Sequence, residues 1–231
     1  MTPRLWLRWR SLGAWFTFAS PCRATVSREC VSEACHYGRG VTLFRQLTAG
    51  LPDSAFASDG LLTKRVLRAA ALAQLAPVGG ELLWDLGAGS GSISIEWCRL
   101  AASNLAVAVE RDPERIARIR QNLTAHAVVN QVEIRQGAIG ELLPLLPAPD
   151  AVFLGGGIAR HTLEAAWHAL PPRGRLVVHS VTADSDAILL AAYQGYGGEL
   201  TRVAVETAEP IGRFTGFYPS RTVTCWAVIK P

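Results

Sequence analysis

The chain has 231 residues, 49% of them hydrophobic, enough to fill the core of one sizeable domain with an appendage. Its formal charge of +4 is unevenly placed. Residues 1–45 hold seven arginines against Glu29 and Glu33, a balance of +5, whereas the remainder holds 16 basic and 17 acidic residues, a balance of −1. The body therefore lacks a global electrostatic footprint for DNA or RNA, and no nucleic-acid partner is expected.

In chain order, Arg4, Arg8 and Arg10 precede the apolar stretch Leu12 to Ala19, a basic n-region followed by a short h-region. Residues 1–45 are read as a disordered basic tail or a non-native start, with a targeting peptide as the other reading. The stretch is too short to span a bilayer, so no membrane partner is expected. The five cysteines, at 22, 30, 35, 98 and 225, form no CxxC pair. Cys22, Cys30, Cys35 and His36 match no standard ligand spacing, so no metal is expected, and a reduced, cytoplasmic setting is the simpler reading.

From residue 46 to 231 the chain reads as one domain of alternating strands and helices. Helical periodicity covers Leu62 to Ala76, a buried strand Glu81 to Leu86, and a helix Ser92 to Ala102. The pattern repeats with strand Leu105 to Glu110, a helix from Pro113 to about Ala127 capped by Asp112, and strand Val132 to Gln136. A short helix near Gly140 to Leu146, strand Asp150 to Leu154, helix Ile158 to Leu170, strand Arg175 to His179 and helix Asp184 to Tyr193 follow. Two last runs, Leu200 to Glu206 and Thr222 to Ile229, are expected to pair as a terminal antiparallel hairpin across a long loop. Such βα repetition implies an α/β fold, a mostly parallel sheet covered on both faces. Trp84, Trp97, Trp167 and Trp226 fall on elements that read as core rather than as a stacking platform.

The segment Asp85 to Gly91, DLGAGSG, follows an apolar run and opens a helix. Glycines at 87, 89 and 91 allow a tight turn and close approach to a ligand, with helix amides aimed at it. Glu110, at the end of the next strand, is placed to accept both ribose hydroxyls of a nucleotide-type ligand. A dinucleotide fingerprint would need glycine where Ser92 stands, so the spelling fits S-adenosyl-L-methionine better. Asp85 is either a ligand contact or a cap on the loop amides. Gly155-Gly156-Gly157 stands where amino-group methyltransferases carry Asn or Asp before Pro-Pro. That argues against a nitrogen acceptor and leaves room for a bulky planar substrate.

Gly50-Leu51-Pro52-Asp53, Leu62-Thr63-Lys64, Leu83 to Trp97 and Val152 to Gly157 resemble the precorrin methyltransferases of cobalamin biosynthesis that methylate C15 and decarboxylate the C12 acetate. The segment Glu209 to Phe217 with Val223 to Trp226 resembles the C-terminal half of fused members that carry a separate C5-methylating domain. The resemblance implies a Rossmann-like class I methyltransferase with a seven-stranded sheet, a tetrapyrrole substrate, S-adenosyl-L-methionine as cofactor and a homo-oligomer. It also implies that C5 methylation belongs to another domain, this chain being a fragment or a split enzyme. Implied donor contacts are Thr63, Asp85, Gly87, Ala88, Gly89, Ser90, Gly91, Glu110, Ile139 and Gly155. The family shows Ala-Pro where this chain has Ile139-Gly140.

Transfer from a sulfonium to an electron-rich meso carbon needs alignment more than strong acid or base, and alignment can supply about 7–11 kcal/mol. Arginine and lysine forks would hold the acceptor's carboxylates. Candidates are Lys64, Arg160, Arg213 and Arg221, with Arg213 foremost. His161 and His179 are candidate proton carriers, and Phe214, Phe217 and Tyr218 could stack on the macrocycle. Two rival readings are a class I enzyme for another acceptor such as RNA, and a fragment that keeps the fold without turnover.

Overall fold

The computed structural model describes residues 48–231. The expectations for the basic tail and its cysteines lie outside them. A 3-10 turn, Asp53–Ala55, precedes helix α1 (Arg65–Leu75), and then strands and helices alternate: β1 (Leu82–Leu86), α2 (Ser92–Leu100), β2 (Leu105–Glu110), α3 (Pro113–Ala125) and β3 (Val132–Gln136). The second half runs α4 (Ile139–Leu142), β4 (Ala151–Leu154), α5 (Arg160–Ala169), β5 (Arg175–Ser180), α6 (Ala183–Tyr196), β6 (Glu199–Val203), β7 (Glu206–Ile211), β8 (Phe214–Pro219) and β9 (Val223–Ile229).

One sheet of seven strands has the order β3-β2-β1-β4-β5-β9-β6. The first five strands are mutually parallel, and β9 inserts antiparallel between β5 and β6, with His179 opposite Cys225. This is the seven-stranded, mostly parallel arrangement expected. One difference stands out. The segment expected as a loop between the last two strands is itself a two-stranded antiparallel sheet, β7 with β8. Its strands are exposed almost throughout and so lack the alternation that marks a half-buried strand. Pro210 inside β7 is a further signal against a strand, tolerated here because the hairpin has edges on both sides.

Both faces of the main sheet are covered. Strand alternation sends Leu83, Ala106, Ala108, Phe153 and Val177 toward one face, where they pack with Leu72 of α1, Ile93 and Trp97 of α2, and Ile119 of α3. Trp84, Leu86, Val107, Val152, Leu154, Val178 and Trp226 go to the other, against Leu163 and Trp167 of α5 and Leu189 of α6. The indoles of Trp84, Trp97 and Trp226 donate to Pro147 O, Leu105 O and Gly197 O, so these large core side chains bury no orphan N–H. Helix α3 starts where the sequence places it: Asp112 accepts from the amides of Glu114 and Arg115, and Pro113 sits at the first position, where its missing N–H costs nothing. Helix α1 starts three residues later than expected, at Arg65. Lys64 is extended, and no side chain caps the start.

Candidate active site

Strand β1 has β2 on one side and β4 on the other, so the chain leaves β1 in opposite directions at that point, and a crevice opens beyond the strand ends. There the structure holds a cleft of about 910 Å³. That is at the upper end of small-ligand cavities.

The turn after β1 forms its inner wall. Amides of Gly87 and Ala88 both donate to Val109 O at 2.9 and 3.0 Å, tying the turn to β2. Gly87 has φ +75°, and a Cβ there would lie 2.9 Å from the backbone N of Gly156, so glycine is needed both for conformation and for the approach of the β4 loop. Asp85 is 1% exposed, and its Oδ2 accepts from Ser94 N at 3.1 Å and Ser94 Oγ at 2.7 Å, below the first turn of α2. Burial pushes its carboxyl up to about 6, against the opposing pull of the Ser94 hydrogen bonds, with a smaller push from the Glu110 charge.

Glu110 ends β2, with 5% of its surface exposed. Oε2 accepts from Gly89 N at 2.9 Å, and Oε1 accepts from the amides of Arg111 and Asp112 at 2.9 and 3.1 Å. A carboxylate has about four acceptor positions, so one remains, on Oε2. Gripping two neighbouring hydroxyls would require Glu110 to release a backbone amide. Ile139 opens α4 on the adjacent wall, its Cδ1 2.9 Å from where a Cβ on Gly157 would stand; Gly157 has φ +66°.

Residues 60–64 line another side of the cleft, and Arg68 fixes this stretch at Thr63. The Arg68 guanidinium is fully buried. It donates to Thr63 O at 2.5 Å, Asp53 at 2.9 Å, Glu96 at 2.7 Å and Leu51 O. Glu96 in turn accepts from the amides of Gly50 and Leu51, and the Arg68 charge sits over the Phe56 ring. Asn122 of α3 adds a second tie, donating to Ser90 O and Ala57 O and accepting from Ala57 N.

Of the residues expected from sequence, Thr63, Lys64, Asp85, Gly87, Ala88, Gly89, Ser90, Glu110, Ile139, Gly155 and His161 all line the cleft, as do His179 and Arg221. Gly91 stands just behind it as the N-cap of α2. Arg213 does not line it. It lies at the exposed tip between β7 and β8, its guanidinium 4.9 Å from the Phe214 ring centroid, and Phe214, Phe217 and Tyr218 are 62–71% exposed on the same hairpin. Arg160 lines a smaller cavity between α5 and α6 instead. The Arg68–Glu96–Asp53 network is absent from the sequence-level candidates. Its signal is visible afterwards: an arginine on the apolar face of α1 and a lone acid inside the apolar run Ile93 to Trp97. Among the described residues, no cluster of His, Cys, Asp or Glu could hold a metal ion, and no helix is long and apolar enough to cross a membrane.

A glycine turn after β1, a buried acid at the end of β2 and an antiparallel seventh strand slotted between β5 and β6 together define the Rossmann-like fold of the class I methyltransferases, enzymes that use S-adenosyl-L-methionine. Within that class the chain belongs to the precorrin methyltransferase family: the model of the precorrin methyltransferase domain matches residues 54–230. A precorrin-6Y C(5,15)-methyltransferase [decarboxylating] of Sinorhizobium sp is 45% identical over 185 residues, which are 80% of this chain and 45% of that protein. The chain thus spans about half the length of this relative. A probable cobalt-precorrin-6B C(15)-methyltransferase (decarboxylating) of Pyrobaculum calidifontis is 32% identical over 178 residues, 73% of this chain and 89% of that protein. The solved C-terminal domain of precorrin-6Y C5,15-methyltransferase from Rhodobacter capsulatus superposes with a TM-score of 0.76 at 39% identity, covering 80% of this chain and all of that one.

Proposed function

We propose that this chain methylates C15 of a precorrin with S-adenosyl-L-methionine and decarboxylates the C12 acetate, as the C15 half of the two-site reaction. The observation that carries this is the coincidence of two likenesses: most of the chain matches both the two-site relative and a relative named for C15 alone, and the stretch 54–230 that matches the family contains the whole cleft. C5 methylation would then lie with a separate domain. The working form would be a cytoplasmic homo-oligomer.

The residues present fit the donor. Glu110 would hold the ribose with its remaining acceptor position and one released amide, Ile139 would flank the adenine, Thr63 would cover the donor, and the backbone of Gly87 to Gly91 with Gly155 would shape its bed. Asp85 holds the first turn of α2 through Ser94 and thereby the glycine turn. S-adenosyl-L-methionine supplies an electrophilic methyl group on a sulfonium, and the chain has only to line it up with an enamine-like carbon. The acceptor's carboxylates would be met by Lys64, 4.0 Å from Asp53, and by Arg221, which has no ion-pair partner among the described residues. His161, at the start of α5 beside Gly140, lines the same cleft and would serve as a proton carrier.

Mass spectrometry of a reaction containing the purified chain, S-adenosyl-L-methionine and a reduced precorrin-6-type substrate tests the reading. The expected result is gain of one methyl with loss of CO2. Unchanged substrate despite clear donor binding would overturn it.

A further inference from the structure

His179 sits near the carboxyl end of β5, two strands from the donor turn, and lines the cleft. It is more than nine-tenths buried, yet neither ring nitrogen has a hydrogen-bond partner. A neutral imidazole has one donor and one acceptor to satisfy. Leaving both unmade costs free energy that a phenylalanine or leucine of similar size would not, so a packing role alone does not account for the residue. Its surroundings are apolar: the Phe153 ring stands edge-on at 5.1 Å, and Cys225 lies opposite on β9, its thiol kept protonated by burial.

Burial is the sole cause that pushes the His179 imidazole down, to about 4, so it is neutral while the cleft is empty. Charged groups on the other walls of the cleft are Asp85 on β1 and Glu110 on β2 toward the donor, Arg111 after β2, Arg115 on α3, Lys64 ahead of α1, and Arg221 ahead of β9; His161 lies on α5. None of them enters the causes of the His179 shift. What the imidazole lacks is a negative partner, and the acceptor brings several.

We propose that His179 is the catalytic acid that protonates the carbon left behind when the C12 acetate loses CO2, an assignment that rests on the reaction proposed above. The acetate carboxylate enters beside the imidazole, and an opposite charge at close range favours the protonated ring, so the ring takes up one proton from solvent. The bond between the methylene and carboxylate carbons then breaks. CO2 departs, and the electron pair stays on the methylene, spread into the conjugated imine system. The anion that held the proton on the ring is now gone, and the imidazolium stands in a dry pocket that disfavours it. It gives its proton to the methylene carbon, which becomes a methyl group, and the ring is neutral again. One proton is consumed, one CO2 is released, and no oxidant or reductant is needed.

The test compares the wild-type chain with His179→Gln and His179→Asn on the reduced precorrin-6-type substrate, following CO2 release and, by calorimetry, donor binding. The expected result is donor affinity within twofold of wild type and CO2 release slowed at least ~100-fold, the usual range for loss of a general acid. CO2 release within threefold of wild type in a variant that binds donor overturns the role of His179 while leaving the proposed reaction standing. A wild-type chain that binds donor and releases no CO2 overturns that reaction, and this inference with it. A measurement on the wild type alone guards against variants that fold poorly. Substrate binding with S-adenosylhomocysteine, measured at pH 7 in two buffers of different ionisation enthalpy, is expected to take up close to one proton, and an uptake of zero overturns the proposal.

Discussion

At the β1 and β2 ends of the cleft the polar groups are already engaged before any ligand arrives: Asp85 by Ser94, Glu110 by three backbone amides, Thr63 O by the buried Arg68. At the β5 end both nitrogens of His179 are unmade, and the nearby cation Arg221 is exposed. One half of the cleft is organised by hydrogen bonds within the protein, and the other holds a buried imidazole with none. The contrast matches the two ligands proposed. A donor of fixed structure is best met by a rigid bed, whereas a polyanionic acceptor that changes charge during reaction needs groups free to respond to it.

The harshest way to break the organised half is Arg68→Ala. Removing one side of a fully buried ion pair strands Glu96 without its partner and frees the segments around Leu51 and Thr63, at a cost of about 3–5 kcal/mol. Urea unfolding of the variant should report that loss, with donor affinity falling alongside.

Acid sharpens the comparison, because the two halves respond with opposite sign. Asp85 is raised above its unfolded value of 3.8 to about 6, so its contribution to stability is fully present below pH 3.8 and is lost as pH rises through 6. His179 is lowered from 6.5 to about 4, so its contribution is present above pH 6.5 and is lost as pH falls through 4. Each effect is at most about 3 kcal/mol. Between pH 7 and pH 4, wild type should gain stability relative to Asp85→Asn and lose it relative to His179→Gln, as read from denaturant midpoints. Equal pH profiles in all three would remove both assignments.

Gly87→Ala acts on the bed alone. With φ +75° and backbone 2.9 Å from the added carbon, the β1 turn and the β4 loop must part, and calorimetry should find the donor bound ~10- to 100-fold more weakly, about 1.4–2.8 kcal/mol. The smallest effect is expected at the hairpin tip. Arg213→Ala, outside the cleft and exposed, should leave donor affinity and the unfolding midpoint within error, since surface substitutions stay within about ±0.5 kcal/mol. Arg221→Ala should instead raise KM for the acceptor while leaving donor affinity unchanged.

Much of the β1 and β2 half of the cleft was legible in the sequence because its signals are local. Strand, turn and helix lie within 20 residues of Leu82, the glycine spacing is the spacing of one turn, and Glu110 ends the very next strand. The same locality makes the cap at Asp112 and the strands Leu105–Glu110 and Val132–Gln136 readable to the residue. Arg213 stands differently. A basic residue among aromatics and glycines resembles a binding loop, but the segment folds as its own hairpin, and Arg213 at its tip is not among the residues that line the cleft.

By itself, then, the sequence determined the alternation of elements, the glycine turn after β1, the acid that ends β2 and, through likeness, the family, since periodicity and turn chemistry are properties of neighbouring residues. Tertiary structure alone decided which cations share the cleft, that Arg68 of α1 joins residues 51, 53, 63 and 96, and that His179 is buried with neither nitrogen satisfied. Those facts depend on desolvation and on contacts between residues far apart in the chain. Burial and long-range pairing exist only once the sheet has formed and its faces are covered.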